Sequence, residues 1–153
     1  MSHSVAVRKI EEIRTELSDL SRDLWDHPEV AFTEYYAADL LKTYLAKNGF
    51  TIEVPVPELP TAFVARWGSG SPKIGLLAEY DALPGFSQKT QTTEEPVVPG
   101  GAGHACGHNL MGVAHAGAAV AVKEEMEVEV GGIWRKRLCF FVEIWYAVSA
   151  ILH

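Results

Sequence analysis

Apolar side chains at Ile10, Ile13, Leu17, Leu20 and Leu24 recur every three or four positions, which predicts an amphipathic helix over the first segment. It ends near "DHPE", because Pro28 disfavours helical geometry for His27. The stretch "TEYYAADLLKTYLAKNGF" predicts a second helix, with Thr33 as its N-cap and Gly49 just past its end. After the Pro-rich "PVPELPT" the pattern turns strand-like. "AFVARW" and "KIGLLAEY" predict two strands joined as a hairpin through "GSGSP", the second nearly continuous in apolar residues and so expected to be buried on both faces. Residues 81–103 form a Pro/Gly/Thr-rich loop, and loops of that length inside a compact domain are usually functional. A third helix is expected over about 109–127. Helices flanking buried strands define an α/β fold.

The pattern changes after Glu127. "GGIWRKRLCFFVEIWYAVSAILH" holds a basic cluster and a largely apolar run over 138–152 whose one charged residue is Glu143. That run is short of the roughly 20 apolar residues a membrane-spanning helix needs. Three readings stay open: a buried strand followed by a helical turn, a membrane-seeking or sticky tail, and a foreign tail. The chain accordingly divides into 1–127 and an atypical apolar tail, 128–153.

Composition narrows the function classes. At 153 residues the chain suits one domain with a real core. A net charge of −7 argues against a phosphate-tracking surface, so no nucleic-acid partner is expected. Two cysteines, Cys106 and Cys139, do not make a disulfide framework, and the charged N-terminal stretch lacks the apolar core of a signal peptide. A reducing cytoplasm is the expected setting.

The chemistry concentrates in "GAGHACGHNLMG", residues 101–112. Cys106 and His108 would lie about 200° apart on a regular helix, but in a glycine-rich turn both can face one side. A thiolate and an imidazole suit zinc or another late transition metal. Two ligands fall short of the three that protein usually supplies, so a buried Cys and a capping His remain the alternative. In "GLLAEYDALPG", Glu79 and Asp81 end a strand, where i and i+2 side chains point the same way. One of them suits the orienting of a ligand imidazole; capping of the next turn by Asp81 is the alternative. His27, Glu29 and Glu34 surround the helix break and read as caps and local hydrogen bonds. Packing is the expected role of His115.

Taken together, "DHPEVAFTE", "GLLAEYDALPG" and "GHACGHNLMG", in that order, resemble the metal-dependent aminoacylase and carboxypeptidase family of amidohydrolases, in particular its auxin-conjugate and p-aminobenzoyl-glutamate hydrolase branch. The resemblance covers about residues 5–127. It implies the N-terminal part of a zinc-exopeptidase-like catalytic domain, with helices flanking a mixed, partly parallel sheet. It also implies hydrolysis of an amide between an acyl or aminobenzoyl group and an amino acid, assisted by two divalent ions, zinc or manganese. Cys106 and His108 match the family's metal ligands, and Asp81 matches the catalytic aspartate that supports the metal centre. Glu79 stands where other members have His, so ligation is not carried over to it. The substrate would be a small amide or dipeptide-like molecule, and intact members are expected to be dimers. The family's adjacent Glu pair lies some 35 residues past the motif His; Glu143 stands near that distance without a second Glu. A frame slip or truncated gene model is therefore expected for the tail, and the chain alone is expected not to turn over substrate. The alternative is a non-enzymatic remnant that binds a partner through open strand edges.

Overall fold

A computed structural model describes residues 4–70, 73–129 and 137–142. Helix α1 spans Val5–Asp26, capped by Ser4, whose hydroxyl accepts the Val7 N–H at 3.3 Å. It buries Ile13 and Leu24 and packs Ile10, Leu17 and Leu20 against the core, as their spacing predicts. Pro28 ends it, leaving His27 as the C-cap.

Helix α2, Tyr35–Lys47, buries Ala37, Ala38, Leu41, Tyr44 and Leu45. Its N-cap is Glu34 and not Thr33. The Thr33 hydroxyl instead closes the preceding turn by donating to the Val30 carbonyl at 2.7 Å. The amides of Tyr36 and Ala37 donate to the Glu29 carboxylate at 3.1 and 3.0 Å, so a charged group from outside the helix does the capping. Gly49 follows the helix at φ +84°, with its N–H on the Ala46 carbonyl and that of Phe50 on Leu45. This paired closure requires a left-handed residue, which glycine adopts without strain.

The sheet holds β1 (Thr51–Glu53), β2 (Phe63–Gly68), β3 (Lys73–Ala78) and β4 (Arg137–Val142) in the order β1-β2-β4-β3. β4 runs antiparallel to β2 and parallel to β3, so the sheet is mixed. The expected β2–β3 hairpin is therefore wrong. β4 lies between the two strands, pairing six residues with each, and takes up backbone groups that a hairpin would have joined directly. Among the described residues β3 is therefore an edge strand, with Ile74 and Leu77 exposed, not a strand buried on both faces. The strand reading of the region after Glu127 corresponds to β4. Glu143 and the rest of the apolar run lie outside the described residues.

Helix α3, His108–Glu129, packs between α1 and the β3–β4 side of the sheet. Close approach needs small residues: a Cβ on Gly112 would stand 3.1 Å from the Glu79 carbonyl and 3.2 Å from Tyr80 Cβ. Leu24, Leu41, Leu45 and Phe63 are fully buried at the centre. Among the described residues no helix is long and apolar enough to cross a membrane.

Candidate metal centre

Past β3 the chain stays extended and alternates: Ala78, Tyr80 and Ala82 are buried, while Glu79 and Asp81 are half-buried on the opposite side. The buried side is anchored by the Tyr80 hydroxyl, which donates to the Thr61 carbonyl. Burial drives the Tyr80 phenol well above its ordinary pKa, keeping it a neutral donor. The segment is also tied to the loop before α2, where the Ala82 N–H donates to the Glu29 carbonyl at 2.7 Å.

The motif approaches from the other direction. Gly107, at φ +75°, turns the chain into α3, so that His108 opens the helix directly beneath the two carboxylates. Two buried side chains fasten this turn to α1. His104 Nε2–H donates to the Leu24 carbonyl at 3.0 Å, and Asn109 Nδ2 donates to the Ser21 carbonyl at 3.1 Å. Burial lowers the His104 pKa, so its imidazole is neutral.

These elements bring together a compact donor group. His108 Nδ1 lies 2.7 Å from Asp81 Oδ1, and His108 Nε2 lies 3.2 Å from Glu79 Oε2. One donor atom from each of Glu79, Asp81 and His108 lies within 4.8 Å of the others. With the Nδ1–H given to Asp81, Nε2 presents its lone pair toward Glu79, the arrangement in which a carboxylate orients a metal-ligating imidazole. An imidazole nitrogen and a carboxylate oxygen about 3 Å apart match two ligands sharing one ion at bonds of about 2.1 Å. The residues present fit a divalent cation.

Of the candidate residues in the sequence, Asp81 and His108 meet here. Cys106 is a free, exposed thiol in the turn before α3 and is not one of the three grouped donors. Glu79 joins them, as the i, i+2 spacing allows. Around the helix break, Glu29 caps α2 and the His27 ring bonds to Asp23 at 2.9 Å while stacking on Tyr36. His115 donates to the Met111 carbonyl within its own helix at 2.8 Å. Nothing local in the sequence marks His104 or Asn109; a histidine between small residues carries no sign of the helix it will bond. Glu34 reads as a cap from its position, but its side chain is 0% exposed and accepts the Phe32 N–H at 2.9 Å. That bond holds Phe32 at φ +69°, a strained conformation for a bulky residue. Burial raises the Glu34 pKa.

No family model matches the chain. Individual relatives do. It is 45% identical over 119 residues to one of the subunits of the Escherichia coli p-aminobenzoyl-glutamate hydrolase, covering 77% of this chain and 25% of that protein. It is 34% identical over 132 residues to human Xaa-Arg dipeptidase, covering 77% of this chain and 26% of that one. In three dimensions it matches a dinuclear metal-binding peptidase of the M20 family from Bacillus subtilis, with a TM-score of 0.70 and 26% identity, over 92% of this chain and 37% of that one. The chain is thus a relative of the metal-dependent aminoacylase and carboxypeptidase amidohydrolases. Within them its likeness extends to the p-aminobenzoyl-glutamate hydrolase and the IAA-amino acid hydrolases. It spans about a quarter of the length of the curated relatives named above.

Proposed function

We propose that Glu79, Asp81 and His108 form part of a divalent-metal centre serving hydrolysis of an amide between an acyl or aminobenzoyl group and an amino acid. The observation that carries this reading is the His108 ring held between two carboxylates, at 2.7 Å on Nδ1 and 3.2 Å on Nε2. His108 Nε2 and Glu79 are the direct ligands, and Asp81 holds the Nδ1 proton and fixes the ring. The Cys106 thiolate, two residues before His108, is a further ligand by likeness to the family. A zinc or manganese ion there supplies Lewis acidity, lowering the pKa of water and polarising the amide carbonyl. The setting is a reducing cytoplasm, consistent with the free Cys106 thiol. Assembly as a dimer belongs to the same reading.

The chain as it stands is proposed to bind metal without turnover. The described residues supply one three-donor group, whereas a two-ion centre needs more ligands and a further carboxylate as general base. Removing members of such a unit forfeits most of its rate enhancement. The test is hydrolysis of p-aminobenzoyl-glutamate and N-acetyl amino acids with added zinc or manganese, with His108→Ala as blank, beside the metal content of both proteins. Metal in the parent chain, none in His108→Ala and equal background turnover are expected. Metal-dependent turnover above the blank contradicts the inactive reading, and equal metal content contradicts the ligand assignment.

A second reading rests on the β3 edge, which no strand among the described residues covers and where Leu77 is 55% exposed: a non-catalytic module that pairs with a partner's strand. Co-elution with a full-length hydrolase on size exclusion, lost in Leu77→Lys, supports it; independent elution counts against it.

A further inference from the structure

Glu34 is the one fully buried acid among the described residues, and it stands outside the three-donor group. Burying a carboxyl is costly unless its oxygens are satisfied, so an acid kept inside the core calls for a physical account. Its surroundings supply one. Oε1 accepts the Phe32 N–H at 2.9 Å. Burial raises the Glu34 pKa; the hydroxyl of buried Thr61 pulls the other way, and the nearby Asp81 charge adds to the rise. Oε2 itself makes no hydrogen bond of ordinary geometry among the described residues, so the Thr61 pull is a weak one.

The same neighbours hold the strand end. The chain is fastened on both sides of Asp81. Before it, the buried Tyr80 hydroxyl donates to the Thr61 carbonyl. After it, the Ala82 N–H donates to the Glu29 carbonyl at 2.7 Å, and Val30 pairs with Ala82 in parallel. Thr61 belongs to the first fastening and the 29–33 turn to the second. Glu34 engages both, with its carboxyl beside Thr61 and its Oε1 holding Phe32 at φ +69° in the turn. Without that acceptor nothing offsets the strain at Phe32, and the turn would relax.

We propose that Glu34 is a positioning residue, which with Thr61 and Tyr80 forms a buried latch that fixes Glu79 and Asp81 in their direction toward His108. It acts through the strand end and touches neither metal nor substrate. Donor groups of a metal site must be held to within about 0.5 Å, and a segment fastened on both sides of Asp81 meets that demand. The purpose of the latch rests on the metal-centre reading, but its geometry is measurable in the metal-free chain.

The experiment compares the full chain with Glu34→Met, Glu34→Gln, Tyr80→Phe and the double variant Glu34→Met/Tyr80→Phe. Zinc affinity is read by competition with a chromogenic chelator. Imidazole ¹⁵N NMR of the metal-free chain reads the His108 tautomer, which the Asp81 bond to Nδ1–H holds in one form. Glu34→Met fills the same space without an acceptor, and it and Tyr80→Phe are each expected to weaken zinc about tenfold and to mix the tautomers. Glu34→Gln still accepts the Phe32 N–H and is expected to match the parent in both readouts. The double variant is expected to lose no more than the larger single loss, because one latch is broken only once. Tyr44→Phe, which removes another buried hydroxyl from the same core, is expected to change neither readout. Should Glu34→Met not fold, Thr61→Val takes its place with the same expectation. Parent-like readouts in the latch variants, a double variant weakened about a hundredfold, or equal losses in Tyr44→Phe would each overturn the latch. His108→Ala separates the two proposals: zinc affinity equal to the parent's overturns the metal centre, and the tautomer then decides the latch by itself.

Discussion

His108 offers one nitrogen to a carboxylate that orients it and the other to a carboxylate that faces it, so the two acids carry different roles. Asp81→Ala is predicted to weaken zinc binding by about 10- to 100-fold without abolishing it, because the ring loses its orientation but keeps its lone pair. Competition against a chromogenic chelator measures this, and unchanged affinity would show that Asp81 does not position the ring. Glu34 gives a second residue-scale prediction. Its pKa is raised by burial above the ordinary 4.5, so below that pH both folded and unfolded chains hold the proton. As pH rises past 4.5 the unfolded chain releases it more readily, and folding stability falls through the folded-state value. Glu34→Gln keeps the acceptor for the Phe32 N–H and removes the titration. Its Tm advantage over the parent is predicted to grow between pH 4.5 and 7; a pH-independent difference contradicts a buried, proton-holding carboxylate. Glu79 and Asp81 were legible in the sequence because strand alternation is local. The burial of Glu34 and the His104–Leu24 bond were not, since each depends on chain 27 to 80 residues away.

At the level of elements, the centre exists because the N-terminus of α3 sits hard against the strand end. Gly112 permits that contact, with the Glu79 carbonyl and Tyr80 Cβ just over 3 Å from where a side chain would start. Gly112→Val is predicted to cost about 1–3 kcal/mol in chemical unfolding and to separate His108 from Glu79, lowering metal affinity as well. Wild-type stability in that variant would show that the helix yields there freely. The helices were readable from the chain because periodicity, Pro28 and Gly49 all act within a few residues. The partner of each strand was not. β2 and β3 are adjacent in sequence and alike in composition, but β4, some 60 residues on, comes between them, and apolar pattern carries no information about which apolar neighbour a strand will choose.

Across the whole molecule, one face gathers the end of β3, the start of α3, the 81–103 loop and the end of α1. Ligand sites in open α/β sheets lie beyond the carboxyl ends of strands, and Glu79 and Asp81 follow β3 in that position. The E. coli hydrolase and the human dipeptidase are about four times the length matched here. The role proposed for this face is to hold a cation. Diffraction from crystals of the chain soaked in zinc, recorded at the zinc absorption edge, tests this directly. The account predicts an anomalous peak about 2.1 Å from His108 Nε2 and within bonding reach of Glu79, absent in His108→Ala. A peak at the Cys106 thiolate without His108, or none at this strand end, would contradict it.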